Sequence, residues 1–312
     1  MSDIVDRRSP GISIVIPTDS WETVQPVLRC LERAGAGDRI EIVIVIPENQ
    51  SGSVPVGRNV RLATVPSIYP LASARAAGVR AATAPYVFMG ETHSFPRPGM
   101  FAAIIEEHER GATIVVPMFE NENPDGLVSW AGFINGYAPW TAWRKGGEAG
   151  YAPLFNASYR RDFLTAWGKG LDTALLSGED MMRKVRSANG YASFEPRARI
   201  GHVNIARLKH WLPQRIVAGR VIASIRSARW PLWRRLAYAL AAPLIPLVLL
   251  ARHWRGISGT IRSHAVGPAV LPVLGLGMFF QAVGEMAGYA AGQGIDAGRR
   301  YDEYEIRQLT FS

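Results

Sequence analysis

The sequence predicts an α/β protein: a mostly parallel sheet flanked by helices, followed by a C-terminal helical region that associates with a membrane. Three observations carry this. Short β-branched runs alternate with helical segments through the front of the chain. A stretch rich in Gly, Trp, Asn and Pro interrupts that alternation once. After Arg207, long uncharged runs are bordered by arginine and tryptophan.

Gly11 to Pro17 (GISIVIP) is β-branched and closed by proline, which reads as a buried strand. Thr18 to Ala36 reads as a helix, with capping oxygens at Thr18, Asp19 and Ser20 and an early acid at Glu22. Glu41 to Ile46 (EIVIVI) is a second strand and Val60 to Val65 a third. Ala72 to Ala82, rich in alanine and arginine, is helical. Tyr86 to Met89 is the fourth strand, Pro98 to Arg110 a helix, and Ala112 to Pro117 the fifth strand. This alternation implies parallel strands covered on both faces. Phe119 to Pro153 has no clean period. It reads as a long loop or irregular hairpin over the sheet's carboxyl edge, where open α/β folds bind ligands. Asn156 to Arg160 is a return strand; Asp162 to Trp167 and Gly178 to Asn189 are short helices.

The 312 residues suffice for one large α/β domain with an appendage, and 48% hydrophobic against 20% charged residues excludes disorder. The net charge is +9, and only four of the 35 basic residues are lysine. Arginine suits phosphate, because its planar fork donates two parallel hydrogen bonds. Basic residues heavily outnumber acidic ones from Arg183 to Arg262, beside the most apolar part of the chain. That placement favours membrane lipids as partners over nucleic acid. The single cysteine, Cys30, excludes a disulfide framework within the chain. The N-terminus has acidic residues and no long apolar run before the first strand, so it is not read as a signal peptide. The front domain is accordingly expected in the cytoplasm.

The tail begins with a basic amphipathic stretch, Arg207 to Arg235, interleaved with Trp211, Trp230 and Trp233. Leu236 to Ala251 then carries no charge over 16 residues, and Ser263 to Gly284 none over 22. A spanning helix needs ~20 apolar residues, so the second run qualifies by length and the first is short. Both contain proline. A hairpin through the bilayer would carry Arg252, Arg255 and Arg262 to the far side, against the positive-inside tendency. Kinked interfacial helices would keep them on the cytoplasmic face. A third arrangement closes the apolar faces on the protein itself. Gly275, Gly277, Gly284 and Gly288 suggest close helix contacts, with Glu285 as the lone acid among them.

Four segments carry chemistry: Ser73-Ala74-Arg75-Ala76-Ala77-Gly78; the strand Tyr86 to Met89 leading to Gly90-Glu91-Thr92-His93 and Pro96; Ser177-Gly178-Glu179-Asp180; and Gly190-Tyr191 with Pro196 and His202. Their order, over roughly residues 11 to 220, resembles the family 2 glycosyltransferases of the GT-A fold, a Rossmann-like architecture. That family shows A-R-N-x-G, then a strand ending in D-x-D, then a G-E-D segment and a downstream histidine. The resemblance implies a catalytic domain at 1–206, and the composition of the tail implies membrane-associated helices at 207–312. The resemblance further implies a nucleotide-sugar donor bound by Pro17, Thr18, Asp19, Glu48, Arg75 and Glu91. Asp180 is then the general base on the acceptor hydroxyl, and Glu179, Gln214, Arg215 and Arg220 bind the acceptor. One base on the face opposite the leaving group implies inversion.

This chain departs from the family pattern in four places. Glu91-Thr92-His93 stands at the D-x-D position, and with His202 it makes a Glu/His/His set. Such a set suits Mn2+ better than Mg2+, which prefers carboxylates. Ala76 replaces the asparagine after Arg75. The second strand ends Ile46-Pro47-Glu48-Asn49, leaving Glu48 as the acid that reads the base. Gln214-Arg215 stands where processive relatives carry Q-x-x-R-W. The basic, Trp-rich tail implies a lipid or lipid-linked acceptor at the cytoplasmic face of the cell membrane. A polysaccharide synthase would need a channel of several helices, and this tail offers at most two apolar runs. The alternative from another class is a degenerate GT-A domain that binds nucleotide or membrane without turnover.

Overall fold

The computed structural model describes residues 10–33, 39–53 and 59–312. Residues 1–9, part of the N-terminus weighed as a signal peptide, and residues 34–36, the end of the first expected helix, lie outside the described residues.

In chain order the elements are β1 (Ile12–Pro17), α1 (Trp21–Arg33), β2 (Ile40–Pro47), β3 (Val60–Val65), α2 (Leu71–Ala81), β4 (Tyr86–Met89), β5 (Ser94–Pro96), α3 (Met100–Glu109), β6 (Ile114–Asn121), α4 (Leu127–Tyr137), β7 (Gly147–Glu148), β8 (Ser158–Arg160), α5 (Arg161–Thr165), α6 (Leu171–Ala174), α7 (Gly178–Ser187), β9 (Ala192–His202), α8 (Leu208–Ser227), α9 (Leu232–Ala241), α10 (Ile245–Ser263), α11 (Val270–Ala291) and α12 (Ala297–Ile306). They form an α/β fold around one mixed sheet. Its order is β3-β2-β1-β4-β8-β6-β9-β5, with β7 paired to β9. The strands β3, β2, β1 and β4 are parallel. The strand β8 pairs antiparallel with both β4 and β6, so the parallel character predicted from sequence stops at β4.

The chain forms two compact units, residues 1–118 with 146–200 and residues 119–145 with 201–312. The first holds the parallel strands. Every residue of β1 is buried, as are Val43 to Ile46 of β2, which is why both read as unbroken apolar runs. The helix α2 lies so close to β1 and β2 that a Cβ on Gly78 would overlap Val15 and press on Val45. Buried Glu41 ties three segments together. Its carboxylate accepts from Ser13 Oγ (2.5 Å), the Thr83 backbone (2.8 Å) and Arg61 Nε (3.0 Å). Burial works to raise its pKa, but these hydrogen bonds outweigh that and hold it below the ordinary value. The anchor fixes the turn that enters β4.

Three differences from the sequence reading stand out. The irregular stretch contains α4, whose buried side chains include Ala131, Phe133, Ile134 and Tyr137. It is apolar on more than one face, so no amphipathic period marks it. The strand β9 also went unread. It carries Glu195, Pro196, Arg197 and Arg199, which mask a strand until Arg197 is seen paired to Glu195 (3.0 Å) and Glu106 (2.8 Å). Short β5 went unread as well.

In the second unit α8 and α11 pack along one another, with α4 beside them. The core joins Ala131 and Ile134 of α4, Trp211 of α8, Ile257 of α10, and Val270, Leu274 and Met278 of α11. The stretches Leu232–Ser263 and Val270–Ala291 are each long and apolar enough to cross a membrane, by length and composition. The second unit's main segment starts at Gly201, and residues 119–145 belong with it.

Candidate active site

The parallel register that sets Val15 beside Met89 brings the ends of β1 and β4 to one edge. Pro17 closes β1 there. Thr18 is fully buried; its backbone donates to Val45 O (2.9 Å) and its hydroxyl to Ser20 O (2.8 Å). Asp19 accepts from Thr23 Oγ1 (2.6 Å) at the start of α1. Past β4, Gly90 donates to Val15 O (2.8 Å), and the turn Glu91-Thr92-His93 follows, buried throughout.

The Glu91 carboxylate is the centre of this edge. One oxygen accepts from Asn156 Nδ2 (2.5 Å) and Ser94 Oγ (3.1 Å) and lies 3.3 Å from His93 Nε2. The other lies 3.9 Å from the Arg75 guanidinium. Arg75 projects from α2 with its cation over the Phe155 ring, 4.9 Å from the centroid, and its Nε makes no hydrogen bond among the described residues. His93 is fully buried. Desolvation, helped by the Arg75 charge, pushes its pKa down to about 3, so its imidazole is neutral at pH 7.

His202 ends β9. It is buried, with Nδ1 3.1 Å from Asn204 Oδ1 and the Tyr137 ring 4.5 Å away. Glu91, His93 and His202 are each buried, and together they could hold a metal ion. One carboxylate and two imidazoles are a nitrogen- and oxygen-donor set of the kind that ligates divalent transition-metal ions.

The remaining sequence candidates lie elsewhere. Glu48 is exposed in the turn after β2. Asp180 stands in the first turn of α7, whose N-cap Ser177 accepts from the Asp180 backbone (3.2 Å). Its carboxylate pairs with Arg183 (2.9 Å), and exposed Glu179 lies 3.7 Å from the same arginine. Gln214 is buried in α8. Arg215 donates to Gln281 of α11, and Arg220 to Gly292 O (3.0 Å).

Asn156 and Ser94 are the residues that sequence reasoning missed. Asn156 adopts a left-handed backbone (φ 52°), donates its N–H to Met89 O (2.6 Å), and so aims its amide at Glu91. Asparagine just before a short return strand was the available signal, since it tolerates that conformation better than most residues.

No family model matches the sequence, and no curated protein does. Among solved structures, S. aureus TarS 1-349 in complex with UDP-GlcNAc is similar over 93% of this chain and 91% of that chain, with a TM-score of 0.46 and 14% sequence identity.

Proposed function

We propose that the chain is an inverting glycosyltransferase. It moves a sugar from a nucleotide-sugar donor to a lipid or lipid-linked acceptor at the cytoplasmic membrane face. One observation carries the reading. The carboxylate at the end of β4 is buried and held by Asn156 and Ser94, with His93 and Arg75 beside it, where the resemblance requires the donor site.

Glu91, His93 and His202 would hold the cation. When bound, it neutralises the charge that develops on the departing diphosphate. Arg75 supplies fixed positive charge at the same edge, with one N–H still to be satisfied. Thr18 and Asp19 follow the end of the neighbouring parallel strand, in reach of a nucleotide laid across that edge. Asp180 accepts the proton of the acceptor hydroxyl. Glu179, Gln214, Arg215 and Arg220 are proposed for the acceptor, and Glu48 for the base.

The ion pair of Asp180 with Arg183 favours a second reading, a binding domain without turnover. The test is donor hydrolysis and transfer across a panel of nucleotide sugars with Mn2+. Wild type is expected to turn over, and Asp180→Asn to lose about 10²–10⁴-fold in kcat with donor affinity retained. Glu91→Gln is expected to lose Mn2+ binding in calorimetry. A wild-type chain that binds donor but never turns it over supports the second reading instead.

A further inference from the structure

The sequence left open whether the tail spans a bilayer or lies on one, and the second unit by itself separates these. In Leu232–Ser263, the last part of α10 is committed to protein. Gly256 packs against the Ala138 backbone and Gly259 against the Trp143 ring. Ile257 belongs to the core, and Thr260 shares a buried hydrogen bond with Thr141 (2.7 Å). The first half of α11 is committed likewise, through Val270, Leu274 and Met278. No bilayer can cover those turns.

Of α9 and the front of α10, one side is held by Ala239 in a small core with Ala223 and Tyr289, and the outer face stays uncovered. Leu232, Leu236, Leu240, Leu244 and Leu247 recur at intervals of three or four residues, the spacing of one helical face, and all are exposed. Leu240 is 83% exposed, Leu247 65%, and neighbouring Trp233 71%. Two further facts say what covers this face. No acidic residue occurs from Pro196 to Gly284. The exposed arginines Arg229 and Arg234 stand at one end of the apolar stretch, and Arg252 and Arg255 at the other. Cations at both ends of a stripe match a helix lying along a single anionic surface, because a crossing helix would bury one set or carry it through.

We infer that the Leu232–Leu247 face inserts into one leaflet of a bilayer containing anionic lipid, and that the chain is held there without crossing. This deepens the membrane part of the reading above. Its test needs no donor, so its failure is distinguishable from a failure of sugar transfer.

The experiment uses the full chain and sealed vesicles of phosphatidylcholine, with and without phosphatidylglycerol. Wild type is expected to float with the anionic vesicles. Leu240→Glu with Leu247→Glu is expected to lower partitioning by about tenfold or more per leucine, while circular dichroism and thermal unfolding stay at wild-type values. Arg252→Ala and Arg255→Ala should each weaken binding to the anionic vesicles roughly fivefold and leave the fold intact. In a Cys30→Ala background, Arg229→Cys and Arg255→Cys should both react with an impermeant maleimide added outside the vesicles. Three results overturn the inference: no vesicle binding by wild type; protection of one of those two cysteines, which means crossing; or a lipid-free dimer that Leu240→Glu with Leu247→Glu dissociates, which means the face binds a second copy.

Discussion

The most apolar parts of Leu232–Ser263 and Val270–Ala291 are nearly equal in mean hydropathy, yet 11% of the first is buried against 44% of the second. Small residues make the difference. The helix α11 meets α8 at Gly277, Gly284 and Gly288, where an added Cβ would overlap Trp211, Ile216 O and Arg220 O; from the other side, one on Gly219 would overlap Gln281 O. The front of the first stretch carries leucines at its matching turns. Before Gly256 only the small side chains Ala239 and Ala242 are buried in it; from Gly256 onward, glycine again lets the backbone approach. Hydropathy says that a helix should leave water; the spacing of small residues decides whether another helix can receive it.

Substitutions in α11 can break or sharpen this contrast. The largest effect is expected from Gly284→Ala, whose methyl group meets the Ile216 carbonyl, a backbone atom that cannot swing away. It should cost about 2–3 kcal/mol in chemical denaturation by forcing the helices apart. Next comes Glu285→Ala. Buried Glu285 accepts from Gln281 Nε2 (3.0 Å), Arg226 Nη1 (3.2 Å) and Tyr289 OH (3.3 Å). Its removal leaves these donors unmatched and should cost about 2 kcal/mol, below the full value for a buried pair because Arg226 is half exposed. The smallest effect is expected from Gly275→Ala in the same helix. Nothing lies within 4 Å of its would-be Cβ, so it should stabilise by about 0.5–1 kcal/mol through helix propensity. If Gly284→Ala and Gly275→Ala proved equal, close approach would not be what sets the two stretches apart.

The same division between pattern and contact runs through the candidate site. Glu91, His93 and Arg75 were legible because ligand-type and cationic residues followed recognisable strands and helices. Their supports were not. Asn156 reaches Glu91 only because its left-handed backbone bonds Met89 O, and neither fact leaves a period in the sequence. Asp180 shows the converse. Its setting at a helix start was plain from Ser177-Gly178-Glu179, whereas its pairing with Arg183 is a matter of rotamers.

The sequence by itself determined the parallel half of the sheet, from β3 to β4. Strands buried on both faces must be continuously apolar, and such runs are read without knowing their neighbours. It also determined a basic tail with two apolar stretches. Only the tertiary structure decided that α4 is a helix, that β9 is a strand, and which apolar stretch faces protein. Each of those depends on a partner far along the chain: Trp211 and Met278 for α4, Glu106 for Arg197 of β9, and Ala138 and Trp143 for the turns of α10 at Gly256 and Gly259. Burial is a property of pairs of surfaces, and a single segment records only its own half.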